Sequence, residues 1–119
     1  MALVLVHIHS GPEAAVKVTL GALVALTAAK AGHEVTIFFA GDGVHCLAAA
    51  NAHVTGAGTG RLGDHLAGLA AAGVGIFVSG MSAKARGYDE SLLAPYTASF
   101  AMPDRLVELS VAANSTLCY

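Results

Sequence analysis

The chain has 119 residues, enough for one domain; 55% of them are hydrophobic and only 12% charged, about half the roughly 25% of an ordinary soluble domain. That balance excludes intrinsic disorder. Six Lys plus Arg against eight Asp plus Glu, a net charge of −2, exclude a basic nucleic-acid binder.

Ala2–His9 (ALVLVHIH) is an unbroken apolar run rich in Leu and Val, the pattern of a strand buried on both faces. Ser10-Gly11-Pro12-Glu13 reads as a helix start, with Pro and an acid in its first turn. That helix is expected to run to about Ala31, with Lys30 in its last turn and Gly32 as its stop. Only 12 residues separate Lys17 from Lys30, too few for a bilayer span of roughly 20. Val35–Ala40 (VTIFFA) predicts a second buried strand, closed by Gly41-Asp42-Gly43, and Asp42 is placed to cap a short helix through about Ala50. Asn51–Gly60 is a polar, Gly-rich loop. Gly58–Gly63 matches G-x-G-x-x-G literally but follows a loop and not a strand, so dinucleotide binding is not implied.

A third helix is predicted over about Arg61–Ala72 and a third strand over Val74–Val78 (VGIFV). Leu66–Ala83 holds 18 residues without Lys, Arg, Asp or Glu. At Gly73 and Gly75 the pattern nevertheless switches from an Ala/Leu helix to a β-type run, which argues against a membrane span. Ser79–Gly87 (SGMSAKARG) is a loop or short helix, and Asp89–Leu93 adds a turn. Thr97–Ala101 reads as a weak fourth strand, Pro103–Ala112 as a helix opening on Pro, and Ser115–Cys118 as a short final strand.

Strand–helix alternation over the whole chain, 1–119, predicts one α/β domain: a five-stranded parallel sheet with helices on both faces, flavodoxin-like, with strand order 2-1-3-4-5. Ligands of such sheets bind outside the carboxyl ends of the strands where the strand order reverses, here between the first and third strands. The loops at His9-Ser10-Gly11, Gly41-Asp42-Gly43 and Ser79-Gly80-Met81-Ser82 meet there. Gly80 permits a tight turn, Ser82 can cap the following helix, and Lys84 and Arg86 lie close by, an arrangement suited to an anion. Ser79, Gly80, Met81, Ser82, Lys84 and Arg86 are expected on one wall, with His9 and Asp42 opposite.

His7 and His9 alternate on the first strand and project to one face, but no spacing specifies a third ligand, so no metal is assigned. Cys46 near a helix start is a candidate nucleophile; Cys118, on the last strand, is expected one strand or more from the switch point. Two cysteines do not make a disulfide scaffold. The first positive side chain is Lys17, so no signal peptide is expected and the cytoplasm is the expected location. No Walker A, G-x-S-x-G or H-E-x-x-H sequence is present, and no cofactor is implied.

The segments VHIHSGPE, GHEVTIFFAGDGV, GVGIFVSGMSAKARG and PDRLVELSVAANSTLCY, in this order and spacing, resemble the DsrE/DsrF-like family over nearly the whole chain. SGMSAKARG is the most specific of them. The resemblance implies a small flavodoxin-like domain that assembles into dimers, trimers or hexamers. It also implies kinship with sulfur-relay proteins, which receive persulfide sulfur on a Cys at the end of the third strand and pass it on in tRNA thiolation or sulfur oxidation. That Cys position falls on Ser79 here, and a hydroxyl cannot carry a persulfide.

The leading expectation is therefore a DsrE-like homo-oligomer, a trimer or hexamer ahead of a dimer, that binds a small anionic or sulfur-containing ligand without autonomous sulfurtransferase chemistry. The alternatives are a sulfur carrier using Cys46 and a non-catalytic interaction subunit. Neither nucleic acid nor membrane is an expected partner. Alanine, 25 residues, explains much of the hydrophobic total; subunit contacts explain the scarcity of charge.

Overall fold

In the computed structural model, which describes residues 1–119, the first apolar run forms β1 (Leu3–Ile8). Its side chains alternate between two buried faces: Val6 and Ile8 are sealed on one, Leu5 on the other. Helix α1 spans Ala15–Lys30, starting later than the sequence suggests. The Ala14 N–H donates to the carbonyl of Gly11 at 3.0 Å, so Ser10–Ala14 is a turn, and no acid stands in the helix's first turn. Strand β2 covers Glu34–Phe39. Beyond it, two 3-10 segments, Gly41–Leu47 and Ala49–Asn51, replace the expected short helix, and Asp42 makes no side-chain cap.

A two-residue ribbon, Thr55–Gly56 with Gly60–Arg61, interrupts the polar loop. Then follow α2 (Leu62–Ala71), β3 (Gly75–Ser79), α3 (Gly80–Ala85), β4 (Ser99–Ala101), α4 (Pro103–Ala112) and β5 (Ser115–Cys118).

All five strands of the main sheet pair in parallel, as expected, in an α/β fold with helices on both faces. Their order is 4-3-2-1-5 and not 2-1-3-4-5. The reason lies in β2 and β5. Ile37, Phe38 and Phe39 of β2 are all within 1% of complete burial, so β2 needs a strand on each edge and helices over each face; burying such a side chain contributes about 1.5–3 kcal/mol. The mixed polar β5, all four residues exposed, suits an edge.

The order also moves the switch point. The chain winds from β1 through β4 in one direction, then α4 carries it back across the opposite face to lay β5 beside β1. Strand order therefore reverses between β1 and β5, not between β1 and β3.

The two faces differ in cover. Helices α1 and α2 pack together over a core containing Val6, Ile8, Val18, Ile37, Phe39, Leu62 and Leu66. Gly21 of α1 admits close approach: a Cβ there would stand 3.0 Å from the ring of Tyr119 and from Ile8. The second face carries α4 alone, and α4 buries none of its residues. Its Val107 and Val111 are 62% and 81% exposed. Farther along that face Phe38 stacks on Phe77 at 6.3 Å, and the Arg105 guanidinium lies 5.4 Å over the Phe77 ring. No helix is long and apolar enough to cross a membrane.

Candidate functional site

Because β1, β2 and β3 are neighbours in the sheet, the loops that follow them emerge side by side, as the sequence suggests. Two of these loops are locked together by hydrogen bonds. Ser79 ends β3 almost completely buried, and its Oγ accepts the N–H of Ser82 at 3.1 Å, so Ser79 and not Ser82 caps α3. Ser82 instead turns its Oγ toward the loop after β2, where it accepts the N–H of Gly41 at 2.9 Å. Gly41 sits at φ 54°, in the left-handed region that glycine adopts without strain.

Arg86 completes the clamp. Its Nε and Nη2 donate to one carboxylate oxygen of Asp42 at 3.1 and 2.9 Å, and its Nη1 donates to the carbonyl of Ser82 at 3.1 Å. Asp42 thus stands on the same wall as Arg86 rather than opposite it. The pair is largely exposed, with 29% of the Arg86 side chain and 60% of that of Asp42 accessible, so its worth is about 1 kcal/mol or less. Lys84 and Met81 are exposed beside it. Gly80 lies against β4, where a Cβ would contact Met102 and Phe100 at 3.7 Å.

The His9 backbone lies against Gly41 and Gly43 of this group, where Cβ atoms would stand 3.7 and 3.3 Å from it. Alternation along β1 sends the His9 side chain to the second face, and its ring meets that of His7 edge-on at 5.5 Å. Burial, and secondarily the neighbouring His9, hold His7 below the usual imidazole range. Nε2 of His7 is buried and lacks a hydrogen-bond partner.

Cys46 is fully buried, with Sγ 3.9 Å from the carbonyl oxygen of Ser10. Burial first, and then the Glu13 carboxylate, push its thiol up to about 12. Cys118 is exposed on β5, in register with His7. It therefore stands at the switch point and not a strand or more away. Sequence reasoning missed one further pair beside the clamp: Nδ1 of His45 and the Tyr88 hydroxyl are hydrogen-bonded at 2.6 Å, while Nδ2 of Asn51 donates to the His45 carbonyl. Tyr88 lies 43 residues from His45 with no local pattern to connect them. No three His, Cys, Asp or Glu side chains converge on one point. A cavity of about 110 Å³ lies at the other end of the sheet, between α4 and the amino halves of β1 and β2, lined by Leu3, Leu5, Thr36 and Leu109 among others.

The sequence model of the DsrE/DsrF-like family matches residues 2–117. Among solved structures, the chain is similar to the ychN protein from E. coli, with a TM-score of 0.83 at 13% identity over 100% of both chains. It is also similar to BT1422, a conserved protein of unknown function from Bacteroides thetaiotaomicron. There the TM-score is 0.72 at 12% identity, over 98% of this chain and 94% of that one. At such identities the likeness speaks for the fold alone. No curated protein sequence matches the chain.

Proposed function

The chain belongs to the DsrE/DsrF-like family, and from that premise we propose that it is a homo-oligomeric binding protein for a small anionic or sulfur-containing ligand at the carboxyl end of the sheet, without sulfurtransferase chemistry of its own. The observation that carries this reading is the state of the groups at the end of β3. Ser79 occupies the position expected of a relay cysteine, and its oxygen is engaged as the cap of α3. A relay needs a soft thiolate that bonds to sulfur and releases it. The rival carrier, Cys46, is sealed in the core with its thiol pushed up to about 12, so near neutral pH it is neither ionised nor reachable.

Anion binding is supported by Lys84 and Arg86, exposed on the rim of the clamp. The Asp42 carboxylate that holds Arg86 is itself exposed, and a weak surface pair of this kind yields to a competing anion at small cost. Assembly is supported by the thin second face, where α4 buries nothing and presents Val107 and Val111 one turn apart. Apolar surface of this kind, in a chain with 12% charged residues, suits contact with further copies.

The test uses thiosulfate, an anion that also carries sulfur, titrated calorimetrically into the native protein. Lys84→Ala and then Lys84→Ala with Arg86→Ala should each lower affinity by about tenfold, the loss of one charge-assisted hydrogen bond, while thermal melting shows both variants folded. Unchanged affinity in the folded double variant overturns the anion assignment.

A further inference from the structure

The cavity under α4 lies at the opposite end of the sheet from the clamp, so nothing about it rests on the anion reading. Its floor is two side-by-side pairs on the second face, Leu3 with Glu34 and Leu5 with Thr36, aligned by the parallel register of β1 and β2. Its roof is the last turns of α4, through Leu109 and Ala112. The helix is fastened at both ends and hollow between. Near its start, the Arg105 guanidinium lies 5.4 Å over the Phe77 ring. Just past its end, Asn114 donates its N–H to the Leu3 carbonyl and accepts the Leu3 N–H on Oδ1, both at 2.8 Å. The alanines at 112 and 113 are too short to fill the gap that these anchors hold open, and about 110 Å³ remains. Protein interiors otherwise have few voids larger than a water molecule, and an engineered apolar cavity of about 150 Å³ takes up benzene. Six of the eight lining residues are hydrophobic. The exposed Glu34 carboxylate at the rim takes part in none of the chain's ion pairs, which join Arg61 to Asp64, Arg86 to Asp42 and Arg105 to Glu108.

We propose that this cavity binds a small primary amine whose apolar body is a single ring or a short alkyl chain. The body fills the space beneath Leu109 and Ala112, and the ammonium sits at the rim, where it donates to the Glu34 carboxylate. The Thr36 hydroxyl, the other polar side chain of the lining, offers a second acceptor. Volume sets the size of the ligand, since drug-sized molecules need pockets of about 300–1,000 Å³. Charge sets its class. An anion would be repelled by Glu34, and a neutral apolar molecule would gain nothing from it. Because α4 is anchored at both ends, the space exists before the ligand arrives and binding orders little of the chain.

The test follows amide shifts of the full-length, isotope-labelled protein by nuclear magnetic resonance during titration with benzylamine. Benzyl alcohol and benzoate are titrated in parallel, because they keep the ring and change the charge. Benzylamine should shift the amides of residues 3–5, 34–36 and 109–113, which surround the cavity. It should bind about fivefold more tightly than benzyl alcohol, the worth of one exposed ion pair, with benzoate weakest of the three. Glu34→Gln should remove the preference for the amine and leave benzyl alcohol unchanged. Ala112→Leu should fill the cavity and weaken benzylamine by about tenfold or more, since the ring loses its buried area. Both substituted positions are exposed, so thermal melting should show both variants folded. Shifts absent from these residues, equal affinity for benzylamine and benzyl alcohol, or benzylamine affinity unaltered by Ala112→Leu overturns the proposal.

Discussion

Replacing Ser79 with Cys separates a structural hydroxyl from an inert substitute for a carrier thiol. The Ser79 oxygen accepts the Ser82 N–H at 3.1 Å, and the side chain is 7% exposed. Sulfur is a weak acceptor, so Ser79→Cys removes the cap of α3, a loss of about 1 kcal/mol. The larger sulfur crowds a site with little free space and adds to that cost, which overpacking puts at about 1 kcal/mol or more. The sum is about 2 kcal/mol, and at about 4 °C for each kcal/mol in a chain of this length the Tm falls by about 8 °C. Urea and thermal unfolding measure both quantities. Intact mass after incubation with a cysteine desulfurase and cysteine supplies the chemical half of the assay, in a Cys118→Ser background that removes the exposed thiol. The Ser79 protein should gain no mass. A Ser79→Cys variant as stable as its parent refutes the capping role. An added sulfur of about 32 Da on the Ser79 protein that disappears with Cys46→Ala refutes the absence of a relay thiol.

Gly43 lies against the backbone of β1, where a Cβ would collide with the Ile8 carbonyl and stand 3.3 Å from His9 Cα. Since backbone cannot swing aside, Gly43→Ala should cost about 3 kcal/mol in urea unfolding; a loss below about 0.5 kcal/mol would contradict that packing. The buried Cys46 thiol binds its proton more tightly in the folded chain, at about 12 against an ordinary 9.0. Its contribution to stability is therefore complete below pH 9 and lost as pH rises toward 12. Unfolding free energies measured above about pH 9 should fall more steeply for the native protein than for Cys46→Ala, and equal slopes would contradict the assignment.

Much of this fold is legible in the sequence, for physical reasons that can be named. Helix α4 and strand β5 fall on the predicted residues, because Pro103 marks the helix start and the short polar run that ends the chain has few alternatives. Strand order was not legible from alternation, since either order satisfies a parallel sheet with right-handed crossovers. The deciding signal was the contrast between VTIFF, buried on both faces, and STLC, exposed throughout. The loops of the candidate site were legible because both orders bring the ends of β1 and β3 close to one another. The clamp was not. Gly41 and Ser82 are 41 residues apart and Asp42 and Arg86 are 44 apart, contacts that no local pattern encodes. Alternation that pairs His9 with His7 also gives its side chain the face of the sheet that carries Phe38 and Phe77.

The proposed assembly into more than one copy would account for both the scarcity of charge and the bare face of α4. Light scattering on the purified protein at micromolar concentration reads it most directly. The proposed homo-oligomer should show a mass that is a multiple of 11.9 kDa, three or six copies ahead of two, and should shift toward the single-chain mass when Val107→Asp and Val111→Asp place charges on the α4 stripe. A native protein that scatters as a single 11.9 kDa chain would contradict it.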